Sequence, residues 1–269
     1  KMNRKTVTIF SNDYNKTEDN LSLLISKIKD SGLYIVDRKE DADFTIALGG
    51  DGTLLRTLEE TNFSSDTVYV GINSGSLGYL QDIEVSEMDN ILELIKKNEY
   101  VKEELPVLEV TIEDKMGIRK YYGLNEFEIY PYDNKVVSFK LLFENYPLYD
   151  NVCGDGISIA TPIGSTGHNQ SLGGPIMLIK EKIFSIVLKG AIRSTKCSSV
   201  LPNGIVYNSV DIELLDKEFN DALLYIDGNK IEKMQGGMIH VGYREVGIRK
   251  LSLSNISMTE RLREKKVGM

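Results

Sequence analysis

The sequence predicts an α/β domain followed by an all-β domain of sandwich type. Up to about Val101, β-rich runs alternate with amphipathic helical stretches, the pattern of a parallel sheet. From Pro106 onward, short strands joined by turns replace that alternation. Between strand and helix in the first part, the apolar run Phe44 to Leu48 stops at two glycines and opens the turn Gly49-Gly50-Asp51-Gly52-Thr53.

Thr6 to Phe10 is the first β-rich run. Thr17 offers a helix N-cap, with Glu18 and Asp19 in the first turn. Leu21, Leu24, Ile25 and Ile28 follow at helical spacing, and Gly32 ends the helix. Phe44 to Leu48 reads as a buried strand, and Thr53 to Glu60, with Leu54, Leu55 and Leu58, as the helix after it. Val68 to Ile72 supplies a third strand, leading into Asn73-Ser74-Gly75-Ser76-Leu77-Gly78. Ser86, with Asp89 three residues later, opens a helix that carries Met88, Ile91, Leu92 and Ile95 and runs out near Asn98. The first domain is expected to span residues 1–101.

In the second domain, 102–255, strands are expected at Val107–Ile112, Tyr121–Ile129, Val136–Phe143, Ile157–Ala160, Ser209–Leu215, Leu223–Asp227, Met238–Tyr243 and Gly247–Leu253. Turns fall at Asp114–Gly117 and Pro131–Asn134. Residues 256–269 are charged and helical in pattern, a segment expected to pack back on the first domain or to fray.

Composition narrows the function. The 269 residues are 41% hydrophobic and 27% charged, ordinary for a soluble globular protein. A formal charge of −8 supplies no broad basic face for a nucleic-acid backbone or an anionic membrane. Two cysteines, Cys153 and Cys197, are too few for a disulfide framework and lack metal-ligand spacing, and two histidines, His168 and His240, are too sparse for a zinc site. No apolar run reaches membrane-spanning length and the charged start lacks the apolar core of a signal peptide, so a cytoplasmic location is expected.

Two stretches carry chemistry. In the turn after Leu48, glycines let the backbone approach a phosphate closely, the helix dipole adds positive potential, and Asp51 lies where open α/β sheets bind ligands. The plainer reading is that Asp51 or Thr53 caps the helix. The second stretch runs through Gly154-Asp155-Gly156, Thr161-Pro162-Ile163-Gly164-Ser165-Thr166-Gly167-His168-Asn169-Gln170-Ser171 and Gly173-Gly174-Pro175. It is far denser in glycines and hydroxyls than a structural turn requires, and offers many N–H and O–H donors to a polar ligand. Upstream, Leu124-Asn125-Glu126 places an amide beside a carboxylate on a strand.

Taken in order, these pieces resemble the NAD kinase family, which phosphorylates the 2′-hydroxyl on the adenosine ribose of NAD. The matching stretches are Gly49-Gly50-Asp51-Gly52-Thr53, Gly71 to Gly78, Leu124-Asn125-Glu126, Gly154-Asp155-Gly156 and Thr161 to Thr166. The first is shared with diacylglycerol kinases, sphingosine kinases and phosphofructokinases, whereas the ordered combination is specific. The resemblance implies a Rossmann-like first domain, a β-sandwich second domain that binds the dinucleotide, a site between them, and a homodimer or homotetramer. It makes Asp51 the proton acceptor, and Gly49, Gly50, Gly52 and Thr53 the phosphate loop. Asn125, Glu126, Asp155, Thr166 and Ser171 become the NAD-binding positions, and His168, standing where the family has tyrosine, is expected to join them by facing the ligand, the plainer reading being that it points to solvent. Its partners are NAD and ATP, with Mg²⁺ or another divalent cation accompanying the ATP. The chain departs from the family pattern in having Gly167-His168 where Ala-Tyr is usual, Cys153 where a basic residue is frequent, and Leu178-Ile179 where His-Pro often follows.

The chemistry agrees with that resemblance. A ribose hydroxyl is a poor nucleophile, so phosphoryl transfer to it needs alignment, charge neutralisation and an acceptor for one proton. The chain has neither a P-loop lysine motif nor a protein-kinase signature, so glycine backbone must cradle the phosphates. Two rival readings are a diacylglycerol-type lipid kinase, which the polar Thr161 to Ser171 loop disfavours, and a non-catalytic dinucleotide-binding relative, which the intact Asp51 disfavours.

Overall fold

A computed structural model describes residues 5–12, 15–37, 42–75, 78–133, 135–179, 181–197, 205–218 and 220–253. Ser76, Leu77, Asn134 and the expected tail segment 256–269 lie outside the described residues. In chain order the first elements are β1 (Thr6–Ser11), α1 (Asn15–Ser31), β2 (Tyr34–Ile35), β3 (Phe44–Gly49), α2 (Asp51–Glu60), β4 (Val68–Asn73), β5 (Ile83–Glu84), α3 (Met88–Lys97) and β6 (Val101–Leu105). Then come β7 (Leu108–Asp114), β8 (Gly117–Gly123), β9 (Glu126–Pro131), β10 (Val137–Phe143), β11 (Tyr146–Gly154), β12 (Gly156–Ala160) and the one-turn helix α4 (His168–Ser171). The chain continues through β13 (Phe184–Lys189), β14 (Ile205–Tyr207), β15 (Val210–Leu214), β16 (Ala222–Ile226), β17 (Asn229–Met234), β18 (Gly237–Tyr243) and β19 (Ile248–Ser252).

The chain divides into two units, one running to Leu105 and resuming at Val246, the other spanning Pro106–Glu245. In the first, a sheet runs in the order β2-β1-β3-β4-β19-β6, with β5 also on β4. Its pairings are parallel except that of β19 with β6. β3 and β4 are buried along their whole length because helices cover both faces. Phe44, Ile46 and Leu48 pack with Leu24 and Ile28 of α1 and with Met88, Ile91, Leu92 and Ile95 of α3. The opposite face meets α2, where Thr61 just beyond its end hydrogen-bonds the Tyr69 hydroxyl at 2.7 Å. This is the doubly wound, Rossmann-like arrangement. Between β1 and β3 the strand order reverses, which is where ligands bind in such sheets.

Two helix ends fall where the sequence places them, whereas α1 opens at Asn15 and so contains Thr17, the expected N-cap, inside its first turn. Gly32, at φ +81°, ends α1, and Asn98, at φ +60°, ends α3. The reciprocal cap ahead of α3 is made by Glu84 and Glu87 rather than by Ser86 and Asp89. Asp89 instead pairs with Lys27 of α1 at 2.6 Å.

The second unit has two antiparallel sheets, β11-β10-β15-β18-β7-β8 and β14-β13-β12-β9-β16-β17. One core contains Leu108, Val110, Ile112, Phe139, Ile212 and Ile239 from the first sheet and Phe127, Ile129, Ile157, Phe184 and Leu224 from the second. Alternate residues of facing strands thus fill the space between two sheets, which makes a β-sandwich.

Two expectations are corrected. Gly247 to Leu253 does not belong to the second unit: β19 pairs with β4 and β6, Leu251 packs in the first unit's core, and Lys250 finds the buried carboxylate of Asp82 at 2.7 Å. With β6 also in that sheet, the expected divisions at 101, 102 and 255 move to Leu105 and Val246. Nor is Tyr121 to Ile129 one strand. It breaks at Leu124-Asn125, so that β8 and β9 enter different sheets.

Candidate active site

In the first unit, β3 ends at Gly49, and Gly50, at φ −106° and ψ −174°, is the N-cap of α2. The helix starts at Asp51, two residues before the expected Thr53, so Asp51, Gly52 and Thr53 form its first turn and only Gly49-Gly50 precedes it. The Thr53 N–H bonds the Gly50 carbonyl at 2.9 Å, and the N–H groups ahead of it lie at the helix's positive end, the kind of place that seats an anion.

Asp51 is not a cap. No side chain caps α2, and the Asp51 carboxylate reaches to the stretch after β4 instead. Its Oδ2 accepts the Tyr79 N–H at 2.6 Å, and its Oδ1 accepts those of Leu80 and Gln81 at 3.0 and 3.1 Å. The approach requires Gly78, where a Cβ would stand 1.9 Å from Oδ1. Gln81, fully buried, adds a bond from Nε2 to the Gly50 carbonyl at 2.8 Å. Asp82 next to it takes Lys250 at 2.7 Å and the Ser252 hydroxyl at 3.1 Å. A carboxylate has about four lone-pair positions. Three are taken here, which leaves one on Oδ2.

The second unit holds the other predicted residues. Leu124, Asn125 and Glu126 give their N–H groups to Asp227 at 2.8, 2.7 and 3.2 Å. Asp227 stands at φ +49° in the turn between β16 and β17. The Thr161 N–H and hydroxyl bond to the carbonyls of Asn125 and Leu124 at 2.8 and 2.7 Å, so the Asn125-Glu126 pair and the glycine-rich loop are held together. Within that loop a 3₁₀ turn at Gly164–Thr166 leaves Thr166 half-buried and leads into α4. Buried Asn169 ties the loop down through the Pro175 carbonyl at 3.0 Å and the Ser185 hydroxyl at 2.9 Å. His168 and Ser171, at the two ends of α4, are exposed.

Asp155 lies exposed between β11 and β12, with its N–H on the Lys189 carbonyl at 2.8 Å. Its carboxylate leans on Gly190, at φ +52°, where a Cβ would come within 2.2 Å. Lys189 in turn links this corner to His168. Its Nζ bonds Glu128 Oε1 at 2.7 Å, and the same oxygen meets His168 Nδ1 at 2.9 Å. Glu126 is buried, and its carboxyl is pushed up to about 8 by loss of water and then by the charges of Asp227 and Glu128. Burial also acts on Glu128, but Lys189 and then His168 outweigh it and hold that carboxyl below its ordinary value.

Cys153 and Cys197 form a disulfide with Cα atoms 5.6 Å apart, tying the end of β11 to the segment before residue 198. The sequence count argued only against a framework of several bridges, and this is one. Among the described residues no group of three His, Cys, Asp or Glu side chains is placed to hold a metal ion.

Asp227, Gln81, Glu128 and Lys189 escaped the sequence reading. Asp227-Gly228 carries a hairpin-turn signal, but nothing local says that its carboxylate collects N–H groups from about a hundred residues away. Glu128 and Lys189 sit at strand positions that alternate with core residues and so read as outward-facing, yet both are buried, and Glu128 meets His168 of α4.

The chain was compared with known proteins. The ATP-NAD kinase N-terminal domain matches residues 10–100 and the ATP-NAD kinase C-terminal domain matches residues 124–248. The NAD kinase of Sulfurimonas denitrificans is 31% identical over 205 residues, covering 75% of this chain and 69% of that protein. The NAD kinase of Clostridium perfringens is 31% identical over 239 residues, covering 84% of this chain and 85% of that protein. Among solved structures, yeast NADH kinase complexed with NADH superposes with a TM-score of 0.82 at 16% identity, over 99% of this chain and 88% of that one. An NAD kinase from Archaeoglobus fulgidus in complex with ATP gives 0.75 at 19%, over 98% and 99%. Both agree with the fold described above, and the two matched domains span most of the sequence: the chain belongs to the NAD kinase family.

Proposed function

We infer that this protein transfers the terminal phosphoryl group of ATP to the 2′-hydroxyl of the adenosine ribose of NAD, giving NADP. The observation that carries the reading is the Asp51 carboxylate, fixed by three backbone N–H groups with one Oδ2 lone pair left, at the end of β3 and the start of α2. A hydroxyl bonded there has an acceptor for its proton, which leaves late in a loose transition state, so an ordinary carboxylate suffices. Gly49, Gly50, Gly52 and Thr53 present the N-terminus of α2 to phosphate oxygens. Asn125, Glu126, Asp155, Thr166, His168 and Ser171 hold the dinucleotide, with Glu126 as a neutral acid able to donate a hydrogen bond at neutral pH.

A divalent cation such as Mg²⁺ neutralises phosphate charge in this chemistry. Since the described residues supply no cage of three ligands, it is proposed to arrive as part of the ATP substrate. The reading extends to a homodimer or homotetramer, which the exposed Leu178, Ile179 and Ile192 would suit, and to a cytoplasmic location. No helix among the described residues is long and apolar enough to cross a membrane.

Incubating the pure protein with ATP, Mg²⁺ and either NAD or diacylglycerol tests it. NADP formation is expected. Phosphatidate in its place would establish a lipid kinase, and no product with tight NAD binding would establish a non-catalytic binder.

A further inference from the structure

The outer face of β9 and β13 holds a buried ion pair. Glu128 and Lys189 are 4% and 7% exposed, and their 2.7 Å contact is supplemented by the Tyr130 hydroxyl on Glu128 Oε2 at 3.0 Å. Lys189 Nζ also lies 3.5 Å from the centre of the Tyr130 ring. Glu128 and Lys189 cancel in charge, so nothing in the cluster calls for a further cation. Yet Glu128 Oε1 takes one more partner, His168 Nδ1 at 2.9 Å. A carboxylate only accepts, so Nδ1 must carry the proton. In a neutral imidazole the other nitrogen, Nε2, is then a bare acceptor. Nδ1 is turned toward the buried Glu128 carboxylate, and 42% of the His168 side chain remains exposed.

We propose that Glu128, balanced by Lys189, is a positioning residue that fixes His168 as its Nδ1–H tautomer and aims the Nε2 lone pair at the dinucleotide, where it accepts a hydrogen bond from an O–H or N–H group. The proposal rests on the reading of the chain as an NAD kinase that binds NAD beside His168. It gives the histidine a different task from phosphate binding. An acceptor selects hydroxyl, amine or amide donors and gains nothing from a fully ionised phosphate, whose oxygens also only accept.

With only two histidines in the chain, ¹⁵N-histidine NMR resolves the question in the intact protein. His240 also meets a carboxylate, Asp211 Oδ1 at 2.5 Å, and a His240→Gln variant assigns its signals. At about pH 8, above the ordinary histidine range, His168 is expected to show a protonated Nδ1 and a bare Nε2, and saturating NAD should move the Nε2 signal. Replacing Glu128 and Lys189 together, as Glu128→Gln/Lys189→Met, leaves no buried charge unpaired. That variant should return His168 to mixed tautomers and raise the KM for NAD several-fold more than it lowers kcat. A protonated Nε2 in the parent protein, or an Nε2 signal that saturating NAD leaves in place while NADP is still formed, overturns the proposal. Failure of the parent protein to form NADP would instead overturn the functional reading, and the unliganded tautomer would still decide what Glu128 does.

Discussion

Two carboxylates in different units solve the same backbone problem. Asp51 gathers the N–H groups of three successive residues, Tyr79, Leu80 and Gln81, and Asp227 gathers those of Leu124, Asn125 and Glu126. In both places the chain leaves regular structure, three consecutive donors lose their ladder partners, and one side chain replaces a strand. The neighbours differ. Asp51 begins a helix beside the glycine turn, while Asp227 sits in a hairpin turn with the carboxyl of Glu126 close by. Asp51 therefore keeps one acceptor position beyond its three N–H partners, whereas Asp227 adds its negative charge to the burial that already pushes the Glu126 carboxyl up. One clamp leaves chemistry open, and the other tunes the residue it clamps.

The largest expected effect is on turnover. Asp51→Asn removes the proposed proton acceptor and should lower kcat on the order of a hundredfold or more, about 3 kcal/mol of barrier. It should also cost stability, because the new amide points a donor at one of the three N–H groups, a conflict worth roughly 1–3 kcal/mol. Steady-state kinetics beside a thermal melt separates the two. A variant that melts early but turns over normally would reduce Asp51 to a clamp.

Asp227→Asn carries the same conflict without the chemistry. A loss of roughly 1–3 kcal/mol in stability is expected, with the KM for NAD rising more than kcat falls as Asn125 and Glu126 lose their anchor. If kcat fell as far as in Asp51→Asn, the two clamps would not differ in kind.

Glu126 sharpens the contrast through pH. Its carboxyl is raised from 4.5 to about 8, so the folded state holds a proton that the unfolded chain releases. The stability this gives is complete below the unfolded value of 4.5 and is lost as pH rises through about 8. Glu126→Gln mimics the neutral acid at every pH. Its melting temperature should therefore decline less than the parent's between about pH 5 and 9, and parallel curves would show that Glu126 is ionised in the fold.

These contrasts also mark what the sequence could reveal. α1, α3 and the strand-glycine-helix turn were legible because each is local: a 3.6-residue apolar period, or glycines closing a β-branched run, determines the outcome within a few residues. β19 was legible as a strand, expected at Gly247–Leu253, but its place in the first unit's sheet was not. That place depends on Asp82, brought in from about 170 positions away, which pairs with the buried Lys250. Asp51 and Asp155 stood out by their glycine-rich company and Asn125 only through the ordered resemblance, but the groups that position them, Tyr79 to Gln81, Asp227 and Lys189, act through backbone atoms or at a distance. No composition signal marks a donor that every residue owns.

The smallest effect is expected at Gln81, and it tests whether Asp51 alone fixes the glycine turn. The Gln81 side chain is fully buried, gives one hydrogen bond from Nε2 to the Gly50 carbonyl, and carries an Oε1 with no partner among the described residues. Gln81→Met keeps the length of the side chain and its packing against Gly71. It forfeits one hydrogen bond, about 0.5–1.5 kcal/mol, and it also removes a buried acceptor whose lost hydration costs about 1–3 kcal/mol. The two nearly cancel, so stability should stay within about 1 kcal/mol, a few degrees in Tm at this chain length. The KM for ATP should change less than the KM for NAD does in Asp227→Asn, because Gly50 remains placed by β3 and by the helix that Asp51 begins. A drop of Tm well beyond that range, or a loss of turnover rivalling Asp51→Asn, would mean that the amide holds the phosphate loop and that the Asp51 clamp is its consequence.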